Sequence, residues 1–394
     1  MSTPATSDEA APEPRLFALN ITDHPDGRGA QVGLVAKRTY RVSAGRCVVA
    51  EEQVPLVELP ETNDDRSVLL HDMDTVLNRR QADIVVTGKI RALRKERRLD
   101  VHVRVGSLSR RLRAFGDRRC LRGSDGRLRF SDPDPIEEID VGWTAAYGGV
   151  DEVARKKYGD PIEGFCKDAR QPYNPRFGLF AYPRNRAGKG YLIELSDEAL
   201  DGCMLPNLED PQHLLIPERL ATGRPDRWPL AAPVASLGWL SYNCFPRSAM
   251  VGMVPPFDPV ACPPASFSEV VSGILNPRSI APQVALSHRF DLAAAQQSAI
   301  GMRTSELFPG APVELTNLHP SLPSWTFALP REVPSMALQM PDQRAVALQP
   351  AIRTVLLDPD RDRVCITWVG EQRDPTPVGP GRMKQIRHGI RWNG

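Results

Sequence analysis

Proline is the residue that most limits what this chain can fold into: 38 prolines and 29 glycines stand among its 394 residues, so long uninterrupted helices are excluded and strands broken by turns are expected. The stretches between these breaks are short and β-branched. RLFALNI (15–21), QVGLVAKRTYRV (31–42) and RCVVAEEQVPLVEL (46–59) are bounded by Asp-Gly, Gly and Pro, which is how strands and hairpins are written. In LDVHVRVG (99–106), Val101, Val103 and Val105 alternate with Asp100, His102 and Arg104, predicting a strand with one buried and one wet face. The run ADIVVTGKIRA (82–92) is read as its hairpin partner across a charged turn at 93–98, and RRLRAFGDR (110–118) as a third strand ending at the Gly116-Asp117 turn. Helical spacing is brief, at 151–158, 196–200 and 291–300, each opening on an Asp or Ser suited to N-capping. The expected fold is mainly β, with a few short helices and long proline-rich loops.

With 41% hydrophobic and 25% charged residues, the composition excludes a wholly disordered chain, a coiled-coil rod and a multi-span membrane protein. The start, MSTPATSDEAAPEP, has neither a basic nor an apolar region, so 1–14 is expected to be a disordered acidic tail without a secretory signal, and the protein to be cytoplasmic. An N-terminal β-rich unit (15–165), a C-terminal β-rich unit (166–371) and a basic tail (372–394) follow, with the boundary in the Pro- and Gly-containing 158–174 and both units free to share one core. Seven scattered cysteines with no C-x-x-C pair speak against a disulfide framework or zinc knuckle, leaving buried reduced thiols.

Motifs that carry chemistry are scarce. Gly188-Lys189-Gly190 lacks the rest of a phosphate loop, and no dinucleotide, HExxH or GxSxG signature is present. His71-Asp72-x-Asp74 is the one gathering of imidazole and carboxylates, a candidate base or cation site for a hydrolase-type enzyme, although capping of a local turn explains it more simply. Asp358-x-Asp360-x-Asp362 imitates a Ca²⁺ loop but has Arg363 where Gly is needed and Val369 where Glu should close the sphere, so a polar turn is expected. Neither metal, cofactor nor catalytic residue is expected.

Two surfaces remain as candidates for a partner. Residues 89–122 carry thirteen Lys or Arg against three acids, a net of +10 in a chain whose total is +2. Arg94, Arg97, Arg98, Arg111 and Arg113 on this stretch would steer an acidic protein. Nucleic acid is disfavoured because Phe115 alone is available for stacking. Residues 228–282 hold ten prolines and four charges. Within them an uncharged run of membrane-spanning length is interrupted by Pro229 and Pro233 and is polar throughout, so no membrane span is expected. Its aromatics Trp228, Trp239, Tyr242 and Phe245 either pack internally, the commoner fate of apolar segments, or form a docking surface.

The order of VGLVAKRTYRV, ADIVVTGKIRA, LDVHVRVG, RLRAFGDRRC, AAYGGVDE, CMLPNLEDP, PGAPVELTNLHP and TVLLDPDRDRVCITWVGE resembles the domain-of-unknown-function 2169 family over about 16–370. The resemblance implies a non-catalytic adaptor or chaperone that brings a secreted toxic effector to the spike protein of a type VI secretion apparatus. A structural component of a contractile or phage-like particle, and an enzyme using His71 and Asp74, are the alternatives.

Overall fold

A computed structural model describes residues 15–23, 29–64, 68–158, 180–182, 184–193, 195–220, 230–240, 296–376 and 381–393. Twelve strands form one large sheet: β1 (Phe17–Asp23), β2 (Ala30–Ser43), β3 (Arg46–Val49), β4 (Ala82–Val86), β5 (Arg98–Val105), β6 (Leu108–Phe115), β7 (Leu208–Glu209), β8 (Arg303–Thr304), β9 (Pro312–Thr316), β10 (Ser324–Ala328), β11 (Pro350–Asp358) and β12 (Arg363–Asp374). Their order is β7-β6-β5-β9-β10-β3-β2-β12-β11-β4-β8, with β1 paired to β2 off this path. The sheet curls until its ends approach, so that Ser107 at the β5–β6 turn lies 3.4 Å from Thr304 of β8. Among the described residues the α-helices are few and short, α1 (Glu152–Tyr158) and α2 (Asp197–Leu200). Asp151 accepts the N–H of Ala154, and the Ser196 hydroxyl accepts that of Ala199, as the capping residues suggested.

The inner face of the curl carries the main core. Val32, Leu34, Ala36 and Tyr40 of β2 meet Ile366 and Trp368 of β12 and Ile84 of β4 in it. β2 and β12 pair over twelve residues, from Ala30↔Asp374 to Arg41↔Arg363. The outer face of the same strands is also covered, because residues 54–64 and 68–77 cross over it and bury Leu56, Val57 and Leu77. A strand covered on both sides reads as the near-continuous run VGLVAKRTYRV rather than as an alternation. Strands from both sides of residue 165 therefore share this sheet, as β2 with β12 and β5 with β9.

Several expectations change. Residues 82–92 and 99–106 form no hairpin: β4 pairs in parallel with β11, and the true hairpin is β5–β6, with Val105↔Leu108 closing a two-residue turn. A doubly buried strand such as β4 takes an interior place in the sheet, whereas amphipathic β5 goes where one face meets water. Only Arg46–Val49 of the 46–59 run is strand, the rest crossing the outer face. Residues 296–300 are not helical, because buried Asp83 accepts the N–H groups of Gln297 and Ser298 and the Ser298 hydroxyl; 291–295 lie outside the described residues. The basic 372–394 is not simply a tail. Asp374 still pairs in β12, and Arg387–Asn393 pairs with Val333–Gln339, half-burying Ile390 and Trp392 while its arginines face water.

The turn between β11 and β12 is the polar turn expected of TVLLDPDRDRVCITWV. Asp358 binds Arg361 and Arg363 at 3.0 and 2.8 Å, Asp360 binds Arg91, and Asp362 meets His319 at 3.0 Å. Its three carboxylates thus diverge to separate side chains instead of converging on one ion. Gly116 in RLRAFGDRRC is required by close approach, since a Cβ there would stand 1.8 Å from the Asp134 carbonyl oxygen. No disulfide joins the described cysteines, and burial pushes the thiols of Cys47 and Cys203 up to about 12, so both are protonated and poorly nucleophilic.

Candidate interaction surface

The two charged constellations legible in the sequence occupy opposite environments. His71-Asp72-x-Asp74 lies in the layer behind β2 and β12. Asp74, 2% exposed, accepts from the Lys37 ammonium at 2.8 Å, the Val57 N–H at 2.8 Å and the Thr367 hydroxyl at 2.9 Å. His71 donates from Nδ1 to the Asp72 carbonyl at 2.7 Å, so Nε2 is the acceptor facing Lys37 Nζ at 3.3 Å. Burial first, and the Lys37 charge second, lower its pKa and keep the ring neutral. Beside this group Arg79, wholly buried, binds Asp83 at 3.2 Å and the Thr354 hydroxyl at 2.9 Å. The arrangement fastens residues 54–64 and 68–79 to the sheet through buried charges that each meet a carboxylate or a cation, although Nε and Nη2 of Arg79 have no hydrogen-bond partner among the described residues. Asp74 and His71 both face the Lys37 ammonium, and among the described residues no His, Cys, Asp and Glu group is placed to hold a metal.

Trp239 belongs to the same layer. It is 4% exposed, packs with Leu69, Val85, Leu356 and Cys365, and stacks on His71 at 4.7 Å between ring centroids. This side chain packs internally, and residues 234–240 around it are buried. Trp228, Tyr242 and Phe245 lie outside the described residues.

The basic stretch is open. Cross-strand pairing puts Asp100↔Arg113, His102↔Arg111 and Arg104↔Ser109 side by side on the outer face of β5–β6, with Arg98 on the same face. β9 adds Glu314 opposite Arg104 and Thr316 opposite His102. Arg113 grips Asp100 with two bonds of 2.7 and 3.2 Å and holds its carboxyl below the usual range. His102 bonds Ser109 at 2.9 Å, and partial burial, with Arg111 next to it, lowers its pKa. Arg98, Arg104 and Arg111 have no carboxylate within ion-pair distance among the described residues. Arg94 is exposed on the loop before β5, where Arg97 donates to the Pro133 carbonyl. Phe115 is buried beneath the Arg118 guanidinium, 3.8 Å from its centroid, so the face has no stacking platform.

Beside this face runs a groove of about 830 Å³, lined by residues 109–113 of β6, His102, and residues 210–212 beyond β7. Arg110 binds Asp210 across its floor at 3.1 Å. Arg98, Arg111 and Arg113 are thus brought together, while Arg94 and Arg97 sit at one end. Asp210 and Pro211 were not singled out; they belong to CMLPNLEDP, and only the pairing of Leu208 with Ala114 brings that motif to β6. No helix among the described residues is long and apolar enough to cross a membrane.

A family model described as an uncharacterized protein conserved in bacteria (DUF2169) matches residues 27–369. No match was found among curated proteins or among solved structures.

Proposed function

We propose an adaptor function for this chain, which belongs to the DUF2169 family of uncharacterized bacterial proteins: in the cytoplasm it binds a secreted toxic effector and hands it to the spike of a type VI secretion apparatus, doing no chemistry of its own. The observation that carries the reading is the outer face of β5–β6, where Arg98, Arg104 and Arg111 have no ion-pair partner among the described residues and stand beside a groove of about 830 Å³. Uncompensated arginines at a concave surface steer an acidic protein toward it and supply forked donors for its carboxylates. The lack of an exposed aromatic on that face favours a protein partner over nucleic acid. The engagement of Asp74 by three donors supports a fastening role for the His-Asp motif in place of hydrolysis.

The test begins with capture of the tagged protein from its native cells and identification of co-purifying chains by mass spectrometry. Association of the captured partner is then compared between the parent and the Arg98→Glu/Arg111→Glu variant at low and high salt. A secreted effector in roughly equimolar amount, whose association slows and loses salt dependence in the variant, is the expected outcome. Recovery of sheath or tube subunits in multi-copy stoichiometry, or identical kinetics for parent and variant, overturns the reading.

A further inference from the structure

We infer that the free edge of β6 is a strand-addition site for an extended acidic peptide, an inference that rests on the adaptor reading and specifies how the partner docks. Gly106, with φ +57°, opens the two-residue turn in the manner of a II′ hairpin, and Val105 and Leu108 close it. From that pair onward, even-numbered residues of β6 turn their N–H and C=O toward β5, and odd-numbered residues turn theirs outward. Phe115 obeys this parity: its N–H reaches outward to the Asn207 carbonyl at 2.8 Å, and its own carbonyl accepts from Asn207 Nδ2 at 3.2 Å.

β7 covers this edge for two residues only, Leu208↔Ala114 and Glu209↔Arg113. The next outward position is Arg111, and continuing the register sets Pro211 opposite it. Proline has no N–H to give the Arg111 carbonyl. The chain turns away there, the Gln212 N–H going to Asp210 Oδ1 at 2.9 Å and the His213 N–H to the Asp210 carbonyl at 3.0 Å. Ser109 and Arg111 keep outward N–H and C=O groups that no described residue pairs, and the groove opens at this place.

Only an extended backbone can exchange bonds with Ser109 and Arg111 together. It is an acidic one because Asp100 and Asp210 are already taken by Arg113 and Arg110, whereas Arg104 and Arg111 meet no carboxylate within ion-pair distance among the described residues. Added antiparallel to β6, in the direction of β7, such a segment places its acidic residues opposite Ser109 and Arg111. Their side chains then lie on the arginine face and their N–H groups point at β6.

The full-length protein is titrated by fluorescence anisotropy with a labelled, acetylated and amidated heptapeptide that alternates glutamate with valine. Saturable binding is expected. Methylating the glutamate nitrogens, which face β6, should weaken it about tenfold, while methylating the valine nitrogens should not. Ser109→Pro removes one outward N–H without altering any charge or the β5 ladder; measured against Ser109→Ala, which loses the same hydroxyl contact with His102, it is expected to weaken binding about tenfold with an unchanged thermal melt. Arg111→Glu should weaken it and flatten its salt dependence. If both methylated peptides and Ser109→Pro behave like the parent while Arg111→Glu binds poorly, strand addition is overturned and the adaptor reading stands on the basic face alone. If Arg111→Glu also binds like the parent, both fall. Absence of saturation at millimolar peptide overturns the inference, as does a concentration-dependent dimer abolished by Ser109→Pro, which assigns the edge to a second copy.

Discussion

Charge meets this sheet in two settings. Behind β2 and β12, Lys37, Asp74, Arg79 and Asp83 are buried, with Lys37 and Arg79 each held by a carboxylate. On the outer face of β5–β6, Arg98, Arg104 and Arg111 are exposed, with no carboxylate within ion-pair distance among the described residues. In the first setting water is excluded, and removing one partner strands the other in a medium that solvates it poorly. In the second, solvent and salt screen each charge, so its loss is felt by an approaching molecule more than by the fold. A cluster with the composition of an active site is thus engaged in buried pairs, while a plain run of arginines lies at the surface.

The contrast breaks most decisively at Asp74. Asp74→Ala leaves the Lys37 ammonium buried and unpaired and should cost about 3–5 kcal/mol in denaturant unfolding. Asp100→Ala, which breaks the exposed pair with Arg113, should cost less than about 1 kcal/mol. Equal losses would mean that the two settings do not differ. Next comes Trp239→Ala, expected to lose about 3 kcal/mol or more through the cavity left against Leu69, Val85 and His71. A parent-like melting curve would return that side chain to the surface.

Acidification sharpens the comparison at lower amplitude. The pKa of His71 in the folded protein lies below the ordinary 6.5, so on acidification the unfolded chain takes up a proton before the folded one does. Stability from this group is complete above that ordinary value and declines as the pH falls from there toward the folded-state pKa, by at most about 1.4 kcal/mol per pH unit. His71→Gln should remove this limb of the stability-versus-pH curve. An unaltered limb would locate the acid sensitivity elsewhere. The smallest effect belongs to Arg111→Glu, which should leave stability within about 0.5 kcal/mol while changing the salt dependence of binding.

What could be read from the sequence was local. The valines at 101, 103 and 105 declare an amphipathic strand because alternation needs only neighbours, and Val101, Val103 and Val105 are all buried. The choice of partner is not local. β4 is buried on both faces, so nothing in ADIVV indicates that it joins β11 near the other end of the chain. Lys37 sits in a run correctly read as strand, but the acid that makes its burial tolerable lies in the separate motif His71-Asp72-x-Asp74. On the surface the arginine run was visible at once. The groove was not, because it exists only where Pro211 halts β7 against β6.

The ladder between β2 and β12 has a consequence for synthesis. On the ribosome β2 emerges early, yet the strand that covers its long edge begins only at Arg363. Until then the nascent chain carries an apolar strand with an unsatisfied edge, the kind of segment that aggregates or recruits a holdase. A message truncated anywhere upstream of Arg363 removes an interior strand rather than a rim. Premature stop codons late in the reading frame should therefore yield degraded polypeptide and no smaller folded product.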